Sequence, residues 1–145
     1  MNSITPHYKL ARLLVLPVIF LFMFQSCSRK IAFEKSSVVP SAEGKVIIKR
    51  DDNKNYAIEV NVTNLADPER LTPKRNAYVV WLQTDDNNTR NMGQMKSSSG
   101  LFSSTMKGTL KSVSVAKPTK VYITAEDSPD AGNPGYHIVL TTRNF

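Results

Sequence analysis

The stretch Gly44-Lys45-Val46-Ile47-Ile48-Lys49-Arg50, the run Asp51-Asp52-Asn53-Lys54-Asn55 and the stretch Tyr56-Ala57-Ile58-Glu59-Val60-Asn61-Val62-Thr63 together decide the fold. In the last of these, Tyr56, Ile58, Val60 and Val62 alternate with Ala57, Glu59, Asn61 and Thr63. Successive side chains of a strand point to opposite faces, so a period of two marks a half-buried strand. Val46 and Ile48 alternate in the same way with Lys45, Ile47 and Lys49. Only turn-forming residues lie between the two segments, which therefore read as a hairpin.

The pattern continues outward. Residues 64–75 hold Pro68 and Pro73 among charged residues and read as a crossing loop. Ala77-Tyr78-Val79-Val80-Trp81-Leu82 is apolar at every position, as a central strand covered on both faces requires. Asp85-Asp86-Asn87-Asn88 is a turn, Arg90 to Lys96 a shorter strand, and Ser97-Ser98-Ser99-Gly100 a second turn. Leu101 to Leu110 reads as an amphipathic strand with Phe102, Met106 and Leu110 on one face. Val121, Ile123 and Ala125 alternate with Tyr122, Thr124 and Glu126. After an acidic turn over Glu126 to Gly135, a closing strand places Tyr136, Ile138 and Leu140 on one side and His137, facing solvent, on the other. No helical period is visible. About seven short strands with turn signals every 8–12 residues predict an all-β, Ig-like antiparallel sandwich. Trp81, in the third strand, then takes the central, fold-critical position, and a small closed barrel is the competing architecture.

The N-terminus follows different rules. Of the 145 residues, the first 26 contain Lys9, Arg12 and no acid, followed by the apolar run Leu13 to Phe24. A basic segment followed by an apolar segment of this length is the pattern of a secretory signal, and it is shorter than the ~20 residues a membrane-spanning helix needs. The chain's single Cys, Cys27, falls where cleavage is expected. Phe24-Gln25-Ser26-Cys27 resembles the lipobox of bacterial lipoproteins, in the looser form found in Bacteroidota, where the Cys is acylated and becomes the new N-terminus. The resemblance implies a signal peptide over 1–26 and a lipidated Cys27 anchoring the protein to the membrane. The several Ser, Pro40 and weak periodicity that follow read as a tether, 27–43 with the Cys, with room for an edge strand at its end, and the period-two pattern from Gly44 sets the domain over 44–145. Ser28-Arg29-Lys30 follows in place of an Asp or an acidic run. By the same resemblance, this places the anchor in the outer membrane with the domain facing the periplasm. Without the signal the chain carries 17 basic and 12 acidic residues, a net charge of +5.

Tyr78-Val79-Val80-Trp81-Leu82, Met92-Gly93-Gln94-Met95 and Val121-Tyr122-Ile123-Thr124-Ala125-Glu126, with Pro134 and Val139-Leu140, resemble the extracytoplasmic domain of anti-sigma-K factors. That resemblance covers roughly 44–142 and implies a β-sandwich with a sensing or binding role. The cytoplasmic segment that binds the sigma factor has no counterpart, so sigma-factor inhibition does not transfer.

Chemistry is sparse in the mature chain. A nucleophilic enzyme needs a nucleophile, a base and an orienting group, and His137 is the one histidine left after the signal. Neither a catalytic set nor a cofactor motif is found, so the reading is not an enzyme and has no cofactor. Asp85, Asp86, Asp127 and Asp130 are the weak Ca²⁺ candidates, set against the simpler role of Asp in turns. The basic residues are dispersed along the sequence without interleaved aromatics, which argues against nucleic acid. The expected function is a lipid-anchored, non-catalytic binding module whose partner is an envelope protein or an anionic polymer. An adhesin or surface-structure accessory subunit is the alternative.

Overall fold

The computed structural model describes residues 28–99 and 105–145, and within them nine strands form two antiparallel sheets. The strands are β1 (Ser28–Ala32), β2 (Glu43–Arg50), β3 (Tyr56–Leu65), β4 (Ala77–Thr84), β5 (Thr89–Gln94), β6 (Lys96–Ser99), β7 (Met106–Ser114), β8 (Pro118–Glu126) and β9 (Ile138–Thr141). One sheet has the order β1-β2-β3-β7-β6 and the other β5-β4-β8-β9. Both keep open edges, so the fold is a β-sandwich and not a closed barrel.

Alternation in the decisive stretch works as expected. The β2–β3 hairpin pairs Val46 with Val60 and Ile48 with Ile58, and all four are buried. Asp51 holds the turn, its carboxylate accepting from the amides of Asn53 (2.9 Å) and Asn55 (2.8 Å). Across the sandwich, Tyr78, Val80 and Leu82 of β4 and Val121, Ile123 and Ala125 of β8 complete one core. Met95 marks the point where the chain leaves the edge of one sheet (β5) for the edge of the other (β6). Its buried side chain fills the space where a Cβ on Gly108 would stand, which is why β7 carries glycine there.

Four expectations are corrected. Residues 28–43 are not a tether. β1 begins at Ser28 and pairs with β2, Val39 and Ala42 enter the core, and buried Ser36 donates to the Val139 carbonyl at 2.5 Å. Ser97-Ser98-Ser99 is the greater part of strand β6, paired with β7, and with no apolar side chain it shows no alternation in the sequence. The closing strand keeps its expected phase at Leu140 and loses it before that residue. Ile123 pairs with Leu140 but Thr124 with Ile138, so the bulge turns both Val139 and Leu140 inward and leaves Tyr136 and Ile138 exposed. Correspondingly, His137 is half-buried, and its carbonyl accepts from the Ala125 amide. The fourth correction concerns Trp81. It is fully buried, but pairing with Tyr122 places it on the face of β4 opposite Val80 and Leu82, outside the core between the sheets.

Candidate functional site

Trp81 is covered by the loop between β8 and β9. The loop leaves β8 after Glu126, reaches β5, where the Asn91 amide donates to the carbonyls of Pro129 (3.0 Å) and Ala131 (2.9 Å), and returns at Gly135. Since β4 lies between β5 and β8, the loop must cross over it. Beneath it runs a buried polar chain. Trp81 Nε1 donates to Thr124 Oγ1 (2.7 Å), and Thr124 Oγ1 donates to Glu126 Oε1 (2.5 Å). The same carboxylate oxygen accepts from the Gly135 amide (2.7 Å). A Cβ on Gly135 would lie 2.7 Å from Glu126 Oε2, so a side chain here would push the carboxylate away from the loop. The carboxylate is used to hold the loop down, and with it the outer face of this sheet is closed.

Cys27 lies outside the described residues, as does Phe102. The weak Ca²⁺ candidates fall into two groups at opposite ends of the β4–β8 pair, about 23 Å apart at 3.3 Å per residue. Asp86 accepts from Thr84 Oγ1, the Asn88 amide and Asn88 Nδ2. The Thr84 hydroxyl first, and then Asn88, hold its carboxyl below the ordinary value. Asp127 takes both of its oxygens to Arg75 Nη1 at 3.0 Å. The amide of Asp130 donates to Ser128 Oγ. Asp86 is engaged within its own turn and Asp127 by Arg75 from the segment before β4, and the fold does not bring the two groups together.

The fold instead gathers the lysines. In the five-stranded sheet, the register places Lys30 of β1 opposite Ile47, Ile47 opposite Glu59, and Glu59 opposite Lys111. The neighbouring row is Lys45, Asn61, Thr109 and Lys96, and the next is Lys49, Ala57 and Val113. Lys107 faces the same way, opposite Ser98. All these residues point away from the core, because Val46, Val60 and Leu110 occupy the inner face. Six lysines (Lys30, Lys45, Lys49, Lys96, Lys107, Lys111) therefore share one outer face with two acids, Glu43 and Glu59. All six are exposed. Four of the five net positive charges carried after residue 27 are on this face.

At its middle lies a shallow groove of about 300 Å³ lined by Ile47, Ala57, Val113, Lys49, Lys111 and Glu59. Val113 is 58% exposed, a large apolar side chain left in water. Glu59 accepts from Asn61 Nδ2 at 3.1 Å and lies 3.7 Å from Lys111 Nζ. The Asn61 hydrogen bond, followed by the charges of Lys111 and Lys49, holds its carboxyl below the ordinary value. It partly offsets one lysine and leaves the rest of the array uncompensated. A flat field of ammonium groups around an apolar strip is suited to binding an extended anionic surface. Reading along the chain missed it, because the lysines are dispersed in sequence and collected only by strand pairing. Set against known proteins, the chain matches no protein-family model, no curated protein sequence and no solved structure.

Proposed function

We propose that the chain is a lipid-anchored protein of a bacterial envelope, attached to the outer membrane through acylated Cys27 and facing the periplasm, with the sandwich serving as a non-catalytic binding module. One observation supports the reading: Ser28, the residue next to Cys27, is already paired, opposite Lys49. The apolar run and the lone Cys thus lead within one residue into a paired strand, which is compatible with Cys27 as the mature N-terminus. Two or more acyl chains give stable anchoring where a single one is marginal. The binding role rests on the lysine face and on the resemblance to a sensing domain.

Incorporation of labelled palmitate into the wild-type chain and into Cys27→Ala tests the anchor. Labelling of the wild type alone is the expected result, and equal labelling of the variant refutes it. Protease treatment of intact cells tests orientation. A protected domain is expected, whereas digestion from outside places it on the cell surface, as an adhesin subunit requires.

A further inference from the structure

We infer that the partner of the lysine face is the anionic headgroup layer of the membrane that holds the anchor, so that the five-stranded sheet lies flat against it. This deepens the anchoring proposal and rests on it. The acylated residue would immediately precede β1, which is itself the edge strand of the lysine-bearing sheet. One residue of extended chain spans at most ~3.6 Å, so the domain has no length of tether with which to leave the surface. Some side of it must face the bilayer. The outer face of the four-stranded sheet is closed by the β8–β9 loop, with Glu126 and Asp127 at its margin. Among the described residues nothing covers the outer face of the five-stranded sheet, which is exposed and positive.

The face has the dimensions of a membrane contact. Five strands about 4.8 Å apart give a width of about 19 Å, and Lys45 to Lys49 or Lys107 to Lys111 spans about 13 Å along a strand. Lysine stems lie along apolar surface while their ammonium groups reach outward, and Ile47 and Val113 lie between the lysines at the height of those stems. Each lysine near an anionic bilayer contributes about a fivefold factor to binding. Such a contact weakens as salt shortens the screening length.

The test is lysine footprinting of the protein as cells process it, extracted from their membranes and reconstituted in vesicles of phosphatidylcholine alone or mixed with phosphatidylglycerol. A membrane-impermeant acetylating reagent and mass spectrometry give the reactivity of each lysine. Lys74, in the loop before β4, and Lys120, on the opposite sheet, serve as references. In mixed vesicles the six face lysines should react at least about fivefold more slowly than in neutral ones, relative to the references, and the protection should disappear in high salt. Retention of the protein on mixed vesicles with all six lysines as reactive as in neutral ones overturns the face assignment alone. Failure to associate with either vesicle overturns the anchor and the face together. If polyphosphate protects the six lysines on neutral vesicles while phosphatidylglycerol does not, the partner is a soluble polyanion and the lipid assignment falls.

Discussion

Replacing Thr124 by Val tests the polar chain under the β8–β9 loop. Valine preserves the shape of threonine and removes only its hydroxyl. That hydroxyl is the acceptor for Trp81 Nε1 at 2.7 Å and a donor to Glu126 Oε1 at 2.5 Å. Trp81 and Thr124 are fully buried, so water cannot replace the lost partner. An indole N–H left unpaired in the interior costs about 1–3 kcal/mol, and losing a hydrogen bond to a carboxylate costs a similar amount. Glu126 still has the Gly135 amide, so the two penalties do not add in full. The expected loss is about 2–4 kcal/mol, or about 8–16 °C in Tm for a domain of this size. Thr124→Ser keeps the hydroxyl and gives up one buried methyl, for about 1 kcal/mol. Urea unfolding followed by Trp fluorescence measures both variants, because Trp81 is the chain's one tryptophan and reports directly on the site. If Thr124→Val and Thr124→Ser agree within about 0.5 kcal/mol, the hydroxyl is not what secures the loop, and the argument fails.

Two further outcomes follow from the core. Tyr78 donates to the Ala66 carbonyl at 2.9 Å; burial, helped by the charge of Asp67, pushes its phenol up from 10.0 to about 12. A raised folded-state value favours the protonated phenol, so this stabilisation is complete below about pH 10 and is lost as pH rises toward about 12. Unfolding measured across that window should show a decline that Tyr78→Phe reduces, and an unchanged slope in the variant would count against it. Gly108→Ala sets a Cβ against Met95 Sδ and Cγ and 2.9 Å from Leu65 Cδ1. Overpacking of this kind should cost about 1–3 kcal/mol in chemical denaturation, and a neutral result would mean that the crossover at Met95 yields easily.

Much of the fold is legible in the sequence where apolar spacing carries it. β3 shows its buried face at Ile58, Val60 and Val62, and β4 shows two covered faces because both are covered. The elements that escape a reading of the sequence have physical reasons to do so. In β1, Ile31 packs against the core, but the inward row beside it is taken by Arg29, which lies over the Phe145 ring at 5.2 Å. A cation–π contact lets a charged residue occupy an inner position, and alternation then gives no signal. β6 contains a lysine and three serines and exists through its ladder with β7. β9 is displaced by a bulge, which breaks the strict period that such a reading assumes. Trp81 is misplaced for a related reason. Its burial is legible, but a strand with two apolar faces does not say which of them meets the second sheet.

The same limit explains why the candidate site is only half visible in the sequence. Once Val46 and Ile48 are placed inward, Lys45 and Lys49 must point outward, and that much follows from spacing. Whether they stand alone depends on which strands lie beside them. Lys111 joins them because β7, some sixty residues later, pairs with β3, and Lys96 because β6 pairs in turn with β7. Pairing between distant strands turns a dispersed charge into a surface. What makes that surface available is the asymmetry of the two outer faces. On the four-stranded sheet, Val79, Trp81 and Thr124 require a cover, and Glu126 and Gly135 secure the loop that supplies it. On the five-stranded sheet, the outward positions are mainly Lys, Thr, Asn and Glu, which are stable in water and require none. The residues that leave this face uncovered are also the residues that charge it, so solubility and attraction for an anionic partner arise from the same side chains.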